Sequence, residues 1–569
     1  MLHYRIVFDD YKQHLVRVSF TFVAQPEQVL WLPTWIPGSY LIREFAKHVE
    51  SVRAHTVDGK SIPINKFEKN KWQLGLTETQ EITVSYQVYA YDLSVRGAYV
   101  DQNLLYVNPS CVCLGVLEDD QQACQVELVL PESLAHFTLS TGLKHICDTK
   151  GHYRLYADNY LQLIDSPFEC AVQDRFTFDA EGIEHTFTIS GRHQANLERL
   201  KTDLTKICTT EIQMFGHAPF NDYVFMTMAT ANHYGGLEHP NSTSLIAPRT
   251  DLPVTDEKDE PSVAYQRFLG LCSHEYFHSW LVKCIRPEVL VPYNLHQETY
   301  TSLLWVFEGF TSYYDDLILR RSGVISQESY LTLLKAQIDR YLQNAGRQVQ
   351  SVAESSFDTW IKFYRPDENT NNAGTSYYNK GALVALCIDL SLRLEGSSLD
   401  DVMRQLYRNA QQGQQVHEQT ILHCCETLTG NDWKQRLETW VNSTQDLPLA
   451  ELLAQCGVNV ELEQQQSLPL GMKVQEKPEG LLVQQVRRDS VAAQAGVSAH
   501  DVVIAIDHLK ATEKLLAQYS EQQKTVTLHV FRRDELLTLQ VHSADLKIDT
   551  VKLTIQNAEK AKAWLSECV

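Results

Sequence analysis

The stretch His274-Glu275-Tyr276-Phe277-His278-Ser279-Trp280 decides how this chain is read. On a helix, His274 and His278 stand one turn apart on the same face, so both imidazoles reach one ion. Glu275 lies about 100° around that helix, close enough to touch a water held by the ion. This is the H-E-x-x-H arrangement of zinc hydrolases. The flanking residues predict a helix. Pro261 follows Asp259 and Glu260, as a helix start favours, and from Ser262 to about Ile285 only Gly270 interrupts before Pro287 ends the run. Tyr265, Leu269, Cys272 and Tyr276 recur at helical spacing and are expected to pack inward.

A catalytic zinc takes three protein ligands and keeps one position open. Two downstream glutamates compete for the third place. Glu298, twenty residues after His278, has the spacing of thermolysin-type enzymes. Glu308, thirty residues after it, lies in Leu304-Trp305-Val306-Phe307-Glu308-Gly309-Phe310-Thr311-Ser312-Tyr313-Tyr314. Trp305, Phe307 and Phe310 would bury that single carboxylate, which is costly unless a cation compensates. Glu308 is therefore taken as the third ligand of one Zn2+ per chain. Glu298 is left as a structural ion-pair partner for Arg286. Asp315 has two readings: an acceptor that orients a ligand histidine, or an exposed helix residue.

The segments 274–280 and 304–314 resemble the glycyl aminopeptidase family of gluzincins, zinc peptidases related to the aminopeptidase N group. Pro33-Thr34-Trp35-Ile36-Pro37-Gly38-Ser39-Tyr40 and Arg43-Glu44-Phe45-Ala46 are similar to the same family. The resemblance implies a C-terminal PDZ domain and release of N-terminal Gly or Ala. It also implies two further roles. Glu238, in Gly235-Gly236-Leu237-Glu238-His239, would receive the substrate's α-ammonium. Tyr378, in Tyr377-Tyr378-Asn379-Lys380-Gly381, would donate to the developing oxyanion, with Tyr377 the adjacent alternative. From the residues alone, the Gly-Gly pair follows the apolar run Tyr223–Met226 and is expected on an edge strand. There Gly235 and Gly236 leave room for a substrate backbone to pair. Asn232, His233 and His239 receive no role.

The chain has 569 residues and a formal net charge of −21, which argues against nucleic acid or anionic membrane as partner. Its thirteen cysteines include no Cys-x-x-Cys, and Cys111, Cys113, Cys424 and Cys425 read as reduced core residues. No signal peptide is evident and no apolar run approaches a membrane span, so a cytoplasmic location is expected.

The expected fold is multidomain α+β. An all-β N-terminal domain spans 1–185. A thermolysin-like catalytic domain spans 186–460, with a mixed part 186–290 and a helical part 291–460. A PDZ domain with a C-terminal tail spans 461–569. Glu461–Ser467 is a candidate linker, and 557–565 a candidate terminal helix. Leu470-Gly471-Met472-Lys473-Val474, Ser490–Val497 and Asp501–Asp507 resemble PDZ segments, so a C-terminal peptide is a candidate partner there. The leading function is a zinc-dependent aminopeptidase acting on peptides with a free N-terminus through a metal-activated water. The alternatives are a metalloendopeptidase whose PDZ domain recruits substrate, and a non-catalytic PDZ scaffold.

Overall fold

The computed structural model describes residues 1–466, 468–520, 524–542 and 547–566. The N-terminal region is all β. Its largest sheet has eight strands, with Leu2–Val7 parallel to Cys124–Val129 and antiparallel to Leu15–Ala24. Alternation in Leu15–Ala24 sends Val16, Val18, Phe20 and Phe22 into the core, as a half-buried strand requires.

A five-stranded mixed sheet follows, built from Gln173–Ala180, Ile183–Ser190, Asp222–Thr230, Ser242–Pro248 and Gly235–His239 in that spatial order. It begins at Gln173, so two of its strands start within the span expected for the N-terminal domain. The Leu197–Phe215 helix makes the crossover between the parallel strands Ile183–Ser190 and Asp222–Thr230. Gly235–His239 pairs only with Ser242–Pro248 and forms the sheet edge.

The helix carrying the two histidines runs over Val263–Phe277, capped by Ser262, whose side chain accepts from the Tyr265 amide. It is shorter than the run to Ile285 that the sequence predicts. After His278 the bonds tighten to Ser279 N–Tyr276 O and Trp280 N–Phe277 O, and Val282 takes a positive φ of 120°. That turn carries Lys283 into a buried ion pair with Asp165, which a continuing helix would forbid. Tyr265, Leu269, Cys272 and Tyr276 are all buried.

The helical part packs Gly309–Arg321 against Asn379–Leu394. They cross where Gly309 meets Gly381, and a Cβ on either glycine would strike the other's backbone. Buried Arg321 pairs with Asp400 at 2.9 Å, and Tyr314 Oη donates to the same carboxylate at 2.7 Å.

The PDZ region has its own apolar core, including Leu481, Val483, Val503, Leu516 and Val530. The expected linker is corrected in part: Val458–Gln466 is a strand paired with Lys547–Ile555, and Ser467 lies outside the described residues. Val458 and Val551 are buried in the core of the main body, and backbone pairing satisfies the polar groups of this tie. The Ala558–Leu565 helix returns to the catalytic part, where Trp564 Nε1 donates to Tyr313 Oη at 3.0 Å. Among the described residues no helix is long and apolar enough to cross a membrane.

Candidate active site

One cleft of about 880 Å³ is lined by His274, Glu275, His278, Glu308, Glu238 and Tyr378. The histidine helix, the edge strand and the two helices crossing at Gly309 and Gly381 each contribute. Gly236 lies so close to Glu275 that a Cβ would overlap its carboxylate, so the edge strand passes directly over this side chain.

The two histidines have fixed tautomers. His274 Nδ1 meets Asp315 Oδ2 at 3.0 Å, and His278 Nδ1 meets the Leu281 carbonyl at 2.8 Å. Both partners are acceptors, so each Nδ1 carries the hydrogen and each Nε2 presents a lone pair. These lone pairs face one another at 3.2 Å. Glu308 Oε2 lies 3.6 Å from His274 Nε2 and 3.3 Å from His278 Nε2, buried without a hydrogen-bond partner. Three electron-rich atoms converging this way repel unless a cation sits between them. Two ligands about 2.05 Å from a tetrahedral zinc stand about 3.3 Å apart, so the donor set fits that ion. Glu308 closes the set from the junction between the Leu304–Phe307 and Gly309–Arg321 helices.

A second acidic grouping, Glu238, Glu275 and His278, shares one histidine with the first. Glu238 Oε1 and Glu275 Oε2 are likewise buried without partners. These carboxylates face the open cleft from the edge-strand side, where a substrate would lie. Burial pushes Glu275 up to about 7. Burial acts on Glu308 in the same sense, but His278 and His274, when protonated, hold it down to about 2, and a cation taking the place of those protons acts in the same direction. One carboxyl is thus poised to exchange a proton and the other stays an anion.

Tyr378 lines the cleft, its ring stacked on Phe363 and facing His274. Tyr377 is fully buried, its hydroxyl paired with Thr359 Oγ1 at 2.8 Å. Glu298 lies away from the cleft and accepts from Tyr300. Its expected ion pair with Arg286 does not form, because Arg286 packs over Tyr293 and donates to the Lys283 carbonyl. Three features received no role from the motifs, although Arg43 lies within one of them. Arg96 and Arg43 reach the cleft from the N-terminal domain. Asp165, also from that domain, accepts from Lys283 at 3.0 Å and pairs with His239 at 2.8 Å, locking the strand that carries Glu238.

The M61 glycyl aminopeptidase model matches residues 267–384, the peptidase M61 N-terminal domain model residues 3–172, and the PDZ model residues 468–542. A crystal structure of an aminopeptidase N family protein from Idiomarina loihiensis is 40% identical, with TM-score 0.94, over 99% of this chain and 100% of that one. This chain belongs to the M61 glycyl aminopeptidase family. Membership makes it a metallopeptidase of the aminopeptidase class, with an all-β N-terminal domain, a mixed catalytic region and a PDZ domain. The same fold recurs at 14% identity, TM-score 0.50, in a two-domain M1 zinc metallopeptidase bound to L-tryptophan, over 79% of this chain and 95% of that one. No curated protein gave a significant match.

Proposed function

We propose that the chain is a zinc aminopeptidase that removes small N-terminal residues, Gly and Ala, from peptides. The carrying observation is the convergence of an ammonium-sized acidic site, a poised carboxyl and a three-ligand cradle in one cleft. His274, His278 and Glu308 hold one zinc ion, with Asp315 orienting His274. Zinc bound there supplies Lewis acidity toward a water and the scissile carbonyl. Glu275 takes the proton of the attacking water and delivers it to the leaving amine. The Tyr378 hydroxyl donates to the developing oxyanion. Glu238 receives the α-ammonium, and the substrate backbone pairs along Gly235 and Gly236.

A terminal amine gains a charge-assisted bond at Glu238, whereas an internal peptide leaves that carboxylate buried and unpaired. The preference for small first residues comes from the family, and the close wall behind Glu238 is in keeping with it. Gly38 lies so close that a Cβ there would overlap the Glu238 carboxylate, and Tyr364 Oη donates to the Gly38 carbonyl at 3.3 Å.

The PDZ edge strand Met472–Lys477 beside the Glu513–Ser520 helix is the place for a C-terminal peptide.

The test compares Gly- and Ala-anilides with their N-acetylated forms, with and without a chelator and with Glu275→Gln. Only free-amine substrates should be cleaved, and both the chelator and the variant should abolish it, with one zinc per chain by elemental analysis. Equal cleavage of acetylated substrates would remove Glu238 from its role and favour an endopeptidase. Zinc binding without turnover would favour a scaffold.

A further inference from the structure

Two guanidinium groups on the cleft wall form no direct ion pair among the described residues, although against burial, which lowers it, Tyr364, Tyr378, Glu275 and Glu238 raise the Arg96 pKa from a distance. Arg96 and Arg43 line the cleft beside Glu238, Glu275 and Tyr378. Arg96 Nη2 donates to the Gly236 carbonyl at 3.2 Å, while its buried Nε has no partner. Arg43 donates to Ser39 Oγ, at 3.3 Å from Nε and 2.7 Å from Nη2. Among the described residues neither forms an ion pair with a carboxylate. The two cations are close enough that the Arg96 charge adds to burial in lowering the pKa of Arg43, against the weaker opposing pull of Tyr364 and Asp92. A partly desolvated guanidinium such as Arg43, repelled by Arg96 and with no carboxylate bonded to it, gains from an anion placed against it.

The edge strand gives the scale. Glu238 marks the amine end, Gly236 abuts Glu275, and a Cβ on Gly235 would lie 3.7 Å from Arg96 Nη1. A strand advances about 3.3 Å per residue, so Glu238 to Gly235 spans about 10 Å. A substrate with its ammonium at Glu238 and its scissile carbonyl beside Glu275 therefore brings the next residue alongside Arg96, on the leaving-group side.

We propose that Arg96 and Arg43 form an anion subsite for a carboxylate on the residue that leaves, which makes dipeptides with a free C-terminus the preferred substrates. This rests on the aminopeptidase reading above, which sets the direction of the substrate. An acidic side chain on the same residue offers the same chemistry. A planar guanidinium fork matches either carboxylate.

The zinc-loaded Glu275→Gln protein, which should bind without turnover, allows affinity to be read by calorimetry. Gly-Ala should bind about ten- to hundredfold more tightly than Gly-Ala-amide, the size of one charged hydrogen-bonded pair. Adding Arg43→Met should bring that ratio toward one. Arg96→Lys keeps the charge without the fork and should reduce the ratio in part, while sparing Gly236 the loss of its donor. Gly-Glu-amide against Gly-Gln-amide separates the sources: a preference confined to this pair assigns the arginines to an acidic side chain. Equal affinities within both pairs, or a preference that survives Arg43→Met, would overturn the subsite. Gly-anilide has no carboxylate and reports on the aminopeptidase separately. If it is not cleaved while the calorimetric preference holds, the aminopeptidase reading and the dipeptide assignment fail together and the arginines are left as an anion site alone.

Discussion

Tyr377 and Tyr378 are neighbours in sequence with opposite surroundings. Tyr377 spends its hydroxyl on Thr359 inside the core, and Tyr378 lines the cleft. Both tyrosines sit at the start of the Asn379–Leu394 helix, one turn before Gly381 is pressed against Gly309. Tyr378→Phe should therefore lower kcat by about a hundred- to thousandfold with KM nearly unchanged, as loss of an oxyanion donor does. Tyr377→Phe should instead lower the melting temperature, through about 1 kcal/mol of lost hydrogen bonding, and leave kcat within a few-fold. Steady-state kinetics and a thermal melt on the two variants separate these roles.

Between elements, the contact that seats the histidine helix on the sheet is His185 against Tyr276. His185 Nε2 lies 2.8 Å from Tyr276 Oη, and its Nδ1 lies 2.9 Å from the Ile183 carbonyl. Burial lowers the His185 pKa from its ordinary 6.5 to about 4, against weaker pulls from Ile183, Asp179 and Asp222. The folded state thus keeps this ring neutral, whereas the unfolded chain takes up a proton below about pH 6.5. Its contribution to stability is complete above that pH and is lost as pH falls from about 6.5 toward 4. At pH 5 the loss amounts to about 2 kcal/mol. His185→Gln should be less stable at neutral pH yet show a correspondingly smaller drop between pH 7.5 and pH 5. Urea midpoints at the two pH values measure this, and an unchanged difference would exclude His185 as the source.

Across the whole molecule, the N-terminal domain completes the cleft as well as covering it. Asp165, Lys283 and His239 join that domain, the turn after the histidine helix and the edge strand in one buried cluster. Burial lowers the Lys283 pKa, and Asp165 together with Glu238 and Tyr293 more than restores it. Removing the cation strands a buried carboxylate, which costs about 3–5 kcal/mol. Lys283→Met should lower the melting temperature and raise KM, because the strand carrying Glu238 loses its anchor. Lys283→Met with Asp165→Leu should recover much of the stability. The terminal helix acts at the same scale: Trp564 closes a chain of hydrogen bonds through Tyr313 to Asp389 beneath the helix that starts at Glu308.

What the sequence determined by itself was local. Two histidines one turn apart, a glutamate beside the first, and a carboxylate inside an apolar helix depend only on helical periodicity and the cost of burying charge. The alternation of Leu15–Ala24 and the glycines beside Glu238 were legible for the same reason. Tertiary structure decided whatever depends on contacts between distant segments. The helix stops at Phe277 because Lys283 must reach Asp165, 118 residues earlier in the chain. Val458–Gln466 reads as a polar linker until Lys547–Ile555 supplies its partner. Arg286 has a better site over Tyr293 than beside Glu298. Arg96 lies in no motif and the segment holding Arg43 gives it no role, since a guanidinium becomes a receptor only when folding desolvates it and leaves it without a carboxylate bonded to it.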